Sequence, residues 1–124
     1  MQSLTPNFFV HSISETQQFY ERLGFRETAR VPESGELVWL MMQCGAVSVM
    51  MQSFKSLGDN LPMINRANGG SLLLYIKTSN VRSLYDQLLG DPCVVTTLEK
   101  TFYGATEFSI RDNNNYLLTF AEDE

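Results

Sequence analysis

The chain has 124 residues, with 9 Lys and Arg against 14 Asp and Glu, a formal net charge of −5. That length supports one hydrophobic core, and 44% hydrophobic with 19% charged residues argues against disorder. The acidic balance, without any Lys/Arg cluster, speaks against nucleic acid or anionic membrane partners; no apolar run reaches membrane-helix length, and the start lacks a signal peptide's basic and apolar stretches.

The first predicted strand is Asn7 to Ser12, rich in aromatic and β-branched residues. A helix follows, with Ser14 and Gln17 as a capping box and Phe19 and Leu23 four apart on one side. Gly24 then supplies a left-handed stop. Three strands come next: Phe25 to Val31, Glu36 to Gln43 and Ala46 to Ser53, punctuated by Gly35 and Gly45. The segment from Phe54 to Gly70 reads as a long irregular connection, of the kind that often serves as a functional lid.

The pattern then returns. Leu73 to Thr78 is a strand, and Ser79 or Asn80 caps a helix with the apolar stripe Val81, Leu84, Tyr85, Leu88 and Leu89. Gly90 and Pro92 end it. Cys93 to Leu98, Ala105 to Arg111 and Tyr116 to Ala121 are the closing strands, with Gly104 and Asn113-Asn114-Asn115 as turns. Val10/Ile76, Phe19/Tyr85, Leu23/Leu89 and Gly24/Gly90 share one offset, so the order β-α-β-β-β occurs twice. The fold class is α+β in a single domain: module one about 1–53, linker 54–70, module two about 71–124. Cys44 and Cys93 lack metal-site spacing and read as a free, reduced pair in a cytoplasmic protein, although a disulfide is open.

The duplicated order resembles the vicinal oxygen chelate superfamily, which includes glyoxalase I, extradiol dioxygenases and bleomycin-resistance proteins. Phe9-Val10, Phe19-Tyr20 and Leu23-Gly24-Phe25 resemble that family's first strand and helix end. The run Tyr103-Gly104-Ala105-Thr106-Glu107-Phe108-Ser109-Ile110-Arg111-Asp112 resembles a segment of bleomycin-resistance-like members, and Asn115 to Phe120 their closing strand. The turn Asp112-Asn113-Asn114-Asn115 departs from the family's Asp-Pro-x-Gly, but Asn tolerates positive φ. The resemblance implies two βαβββ modules whose curled mixed sheets surround a cleft.

In metal-dependent relatives, four inward side chains on the first and fourth strands of the modules hold a divalent ion. By register those positions here are Thr5, Gln52, Ser71 and Thr119. Three hydroxyls and one amide offer neither an anion nor an imidazole, which transition-metal sites need. The expectation is therefore no metal and no cofactor.

In the same geometry, alternation sends Phe9, Met50, Gln52, Leu73, Tyr75 and Leu117 into the cleft, with Trp39 at its mouth if the Leu37-Trp39-Met41 face turns inward. Only one Met of each adjacent pair, Met41-Met42 and Met50-Met51, can reach such a cleft. His11 is the only histidine and reads as a strand-end residue without a nucleophile motif nearby. Glu107 would need a hydrogen-bonding or cationic partner. It is the one catalytic candidate; its open roles are a general base, a ligand for a cationic substrate and a buried anchor for a backbone amide, with the structural role favoured.

The reading is a metal-free, bleomycin-resistance-like protein that holds an apolar or aromatic small molecule, contacted by Phe9, Trp39, Met50, Gln52, Leu73, Tyr75, Glu107 and Leu117. A homodimer is expected, because relatives dimerise and open sheet edges need protection. The alternatives are a glyoxalase-like lyase or dioxygenase, and a protein-interaction scaffold with a filled cleft.

Overall fold

The computed structural model describes residues 1–67 and 69–124. The chain divides into two compact units at 68/69. Each holds a four-stranded mixed sheet with a helix against one face.

In the first unit the strands are β1 (Asn7–Val10), β2 (Arg26–Val31), β3 (Trp39–Cys44) and β4 (Val47–Ser53), with α1 (Ile13–Arg22) between β1 and β2. Their spatial order is β1-β4-β3-β2; β1 runs parallel to β4 and the rest antiparallel. β3 begins three residues later than its hydrophobicity suggests, because 33–36 form a bend.

Helix α1 corrects two details. Its cap is Ser12, not Ser14. The extended backbone of Ser12 lets its hydroxyl accept the Glu15 amide at 3.2 Å, whereas Ser14 already lies in the first turn. The buried stripe is Ile13, Thr16 and Tyr20, and Phe19 sits to its side under the Arg22 guanidinium. Tyr20 is fully buried, with its ring 6.0 Å from Phe8 and 5.5 Å from Phe25. Phe8, Val10, Leu40, Met42, Val49 and Met51 complete this core.

The second unit repeats the plan with β5 (Leu73–Lys77), β6 (Val94–Lys100), β7 (Ala105–Arg111), β8 (Leu117–Asp123) and the helix Val81–Leu88, in the order β5-β8-β7-β6. Val81, Leu84 and Leu88 face the core, and Tyr85 meets Phe108 edge-on at 5.1 Å. Leu89 leaves the stripe: the helix ends before it, its backbone is extended, and its side chain is exposed. Asn80 makes no side-chain cap. A Glu122 carboxylate oxygen from β8 accepts the Val81 amide at 2.9 Å instead. The β7–β8 turn is held by Asp112, whose Oδ1 accepts the amides of Asn114 (2.8 Å) and Tyr116 (2.9 Å), while Asn115 takes φ 66°.

The segment after β4 is not irregular throughout. Phe54–Leu57 form one helical turn, α2, capped by Ser53; the second unit's helix is therefore α3. Arg66 closes the following loop by donating to the carbonyls of Gly58, Asn60, Leu61 and Ile64 at 2.7–3.0 Å. A planar guanidinium serves four carbonyls at once; an ammonium cannot. Arg66→Ala should cost about 1–2 kcal/mol and raise amide exchange across 58–66, with Arg66→Lys giving little rescue. Unchanged exchange in that segment would refute this role.

Candidate functional site

Each helix covers one face of its sheet, and the opposite face carries the residues singled out by sequence. In the first unit, Phe9 pairs with Gln52, Gln52 with Trp39, and Met50 with both Asn7 and Met41. Paired residues share a face, so Asn7, Phe9, Trp39, Met41, Met50 and Gln52 lie together. Trp39 thus lies on the face away from α1. Met42 and Met51 are fully buried on the helix side, which splits each methionine pair between the faces. The polar points are few. Asn7 Nδ2 donates to Gln52 Oε1 at 3.2 Å, and Asn7 Oδ1 is buried without a hydrogen-bond partner.

In the second unit the open face carries Leu73 and Tyr75 from β5, Leu117 and Thr119 from β8, and Glu107 and Ser109 from β7. Leu73 and Tyr75 are each 46% exposed. Glu107 is the polar centre. One of its carboxylate oxygens accepts the Tyr75 hydroxyl at 2.9 Å and the other the Tyr103 hydroxyl at 2.7 Å. Only β8 separates Tyr75 from Glu107, and it presents the small Thr119 and Ala121 on this face. Tyr103 entered the sequence reading only as part of a motif. Its contact depends on the loop 101–104 turning it back over β7, and its sole signal was its place four residues before Glu107.

This cluster has defined acid–base behaviour. The hydrogen bond to Glu107 pushes the Tyr103 hydroxyl up to about 12; burial, followed by the bond to Glu107, raises Tyr75. Both hydroxyls therefore stay protonated near neutrality and act as donors, not bases. His11 is exposed against the Phe54 ring, 4.7 Å between centroids, with the packing of a strand-end aromatic.

The four positions where relatives hold metal do not suit one. Thr5 and Ser71 fall two residues ahead of β1 and β5, Gln52 is engaged by Asn7, and the Thr119 hydroxyl bonds that of Ser109 at 2.8 Å. Among the described residues, no group of three or more His, Cys, Asp or Glu is placed to hold an ion. Neither Cys44 nor Cys93 is in a disulfide.

The tyrosine cluster sets a pH-dependent test. A hydroxyl raised in the folded state stabilises fully below its unfolded value near 10, and that contribution fades as pH climbs through about 12. Phenolate absorbance should show a late transition near 12 that moves toward about 10 in Glu107→Gln. An identical titration of the two proteins would contradict the assignment.

Comparison with known proteins agrees with this architecture. The model of the Glyoxalase/Bleomycin resistance protein/Dioxygenase superfamily matches residues 4–120. A family enzyme of that name from Burkholderia phytofirmans PsJN has the same fold at 16% identity and TM-score 0.79, covering 97% of both chains. A protein of unknown function from Agrobacterium tumefaciens is similar at 19% identity and TM-score 0.80, over 100% of this chain and 95% of that one. A bleomycin-binding protein complexed with bleomycin is similar at 21% identity and TM-score 0.68, over 100% of both. No curated protein matches. With the family model matching nearly the whole length, the chain belongs to the Glyoxalase/Bleomycin resistance protein/Dioxygenase superfamily.

Proposed function

We propose that this protein binds an apolar or aromatic small molecule without metal and without transforming it. The observation that carries the reading is the chemistry of the open sheet faces. Phe9, Trp39, Met41 and Met50 share one, and Leu73, Tyr75 and Leu117 share the other. Each apolar surface has a small polar anchor, the Asn7–Gln52 pair or the Glu107 cluster. Such a mixture suits small-molecule recognition. Methionine adapts to varied ligand shapes, and a relative of this fold is known with bleomycin bound.

Covering one aromatic ring removes roughly 100 Å² of apolar surface, about 2–3 kcal/mol. Stacking on Tyr75 adds about 0.5–1.5 kcal/mol. One such contact is offset by association entropy, so useful affinity needs several. A cognate aromatic ligand should change the emission of Trp39, the only tryptophan. Tyr75→Ala should weaken an aromatic ligand held on the second unit's open face about tenfold. A broad aromatic screen that moves neither Trp39 emission nor melting temperature would overturn the binding reading.

A lyase or dioxygenase of the family's metal-dependent kind needs donors that Thr5, Gln52, Ser71 and Thr119 do not supply. Elemental analysis of the purified protein should accordingly return far less than one zinc, nickel, iron or manganese per chain. A stoichiometric ion lost in Gln52→Ala would reverse this conclusion.

A further inference from the structure

We propose that Asn7 and Gln52 make the first unit's open face selective for an uncharged aromatic ligand bearing a carbonyl oxygen, as in a ketone or an amide. The inference rests on the small-molecule reading above and names the polar group of the ligand.

Gln52 lies in the middle of the apolar residues of that face. Its register partners are Phe9 on β1 and Trp39 on β3, so an aromatic side chain stands on either side of it. The Phe54 ring, 6.3 Å from that of Phe9, adds a third. A carboxamide offers one acceptor oxygen and one NH2 group. Asn7 Nδ2 donates to Gln52 Oε1 at 3.2 Å, which engages the oxygen and sets the direction of the amide. The Gln52 NH2 remains. It bonds to no described residue and, unlike Asn7 Oδ1, it is not buried. Turning both amides over would bury the Asn7 NH2 unpaired, two lost donors in place of one acceptor oxygen. The face therefore presents N–H donors among aromatic side chains, and a ligand carbonyl completes them.

Asn7 gives the arrangement its cost. Its Oδ1 is the one buried side-chain polar atom without a hydrogen-bond partner among the described residues. Such an atom lowers stability, because it leaves water without regaining a bond. An apolar residue would fill a half-buried strand position without that loss. Local rules broken with no packing return mark functional sites. Asn7 is thus a positioning residue: it turns the Gln52 NH2 outward and lowers stability in doing so. The ligand's acceptor is neutral. Asn7, Phe9, Trp39, Met41, Met50 and Gln52 carry no charge, and a carboxylate laid on them would lose hydration with no cation to replace it.

The test uses acetophenone and ethylbenzene, which share a skeleton and differ by a carbonyl against a methylene. The methyl resonances of Met41 and Met50 report binding. Gln52→Glu keeps the oxygen that Asn7 binds and removes the outward NH2. It should weaken acetophenone about fivefold to tenfold and leave ethylbenzene within about twofold. Should that variant not fold, Gln52→Met, similar in length and without a donor, should give the same split. Asn7→Leu should raise the melting temperature by about 2–4 °C and weaken acetophenone about threefold with ethylbenzene unchanged. Equal changes for the two compounds in the Gln52 variants overturn the carbonyl contact and leave the binding reading standing. A lower melting temperature in Asn7→Leu overturns the positioning role. Binding of neither compound to the native protein overturns both the inference and the reading beneath it.

Discussion

A four-stranded sheet has two faces, and in each half of this chain a single helix covers one of them. This constraint governs the rest. Side chains alternate along a strand, so covering one face commits every second residue to the core and the others to the opposite side. Tyr20 on Phe8 and Phe25, and Tyr85 on Phe108, anchor the two helix-side cores. What remains on the open faces is mainly apolar: Phe9, Trp39 and Met50 in one unit, Tyr75 and Leu117 in the other.

Much of this was legible in the residues because it follows from periodicity. The duplicated strand–helix–strand order, the stops at Gly24 and Gly90, and the division of Met41-Met42 and Met50-Met51 between faces need only spacing. The backbone of Asn115, at φ 66°, shows how the Asn run keeps the turn that relatives make with glycine. Local competition was harder to see. Ser12 and Ser14 both look like caps, and only the extended conformation of Ser12 decides between them. Leu89 matches a helical stripe by spacing, yet the helix stops one residue short of it.

Contacts set by loops were not legible. The Glu107 cluster joins residues from β5, β7 and the hairpin loop, and neither hydrophobic period nor propensity encodes that meeting. Arg66 in the connection is similar: nothing in its neighbours announces a guanidinium shared by four carbonyls. Both depend on where a loop returns, which single-sequence patterns do not fix. The chemistry follows the same division. Hydroxyls and an amide at the family's metal positions can be read directly, whereas the tyrosine-bound carboxylate emerges only once the chain is folded.

The central claim is that the faces away from the helices are the binding surfaces. Adjacent residues give it a direct test, because Met50 and Leu117 lie on the open faces while their neighbours Met51 and Leu118 are fully buried beneath the helices. Methyl NMR of methionine- and leucine-labelled protein, titrated with benzyl alcohol and with indole, separates the two sets. The account predicts shifts at Met41, Met50, Leu73 and Leu117 with Met42, Met51 and Leu118 unmoved. Equal shifts in both sets, or shifts confined to the buried methyls, would contradict it.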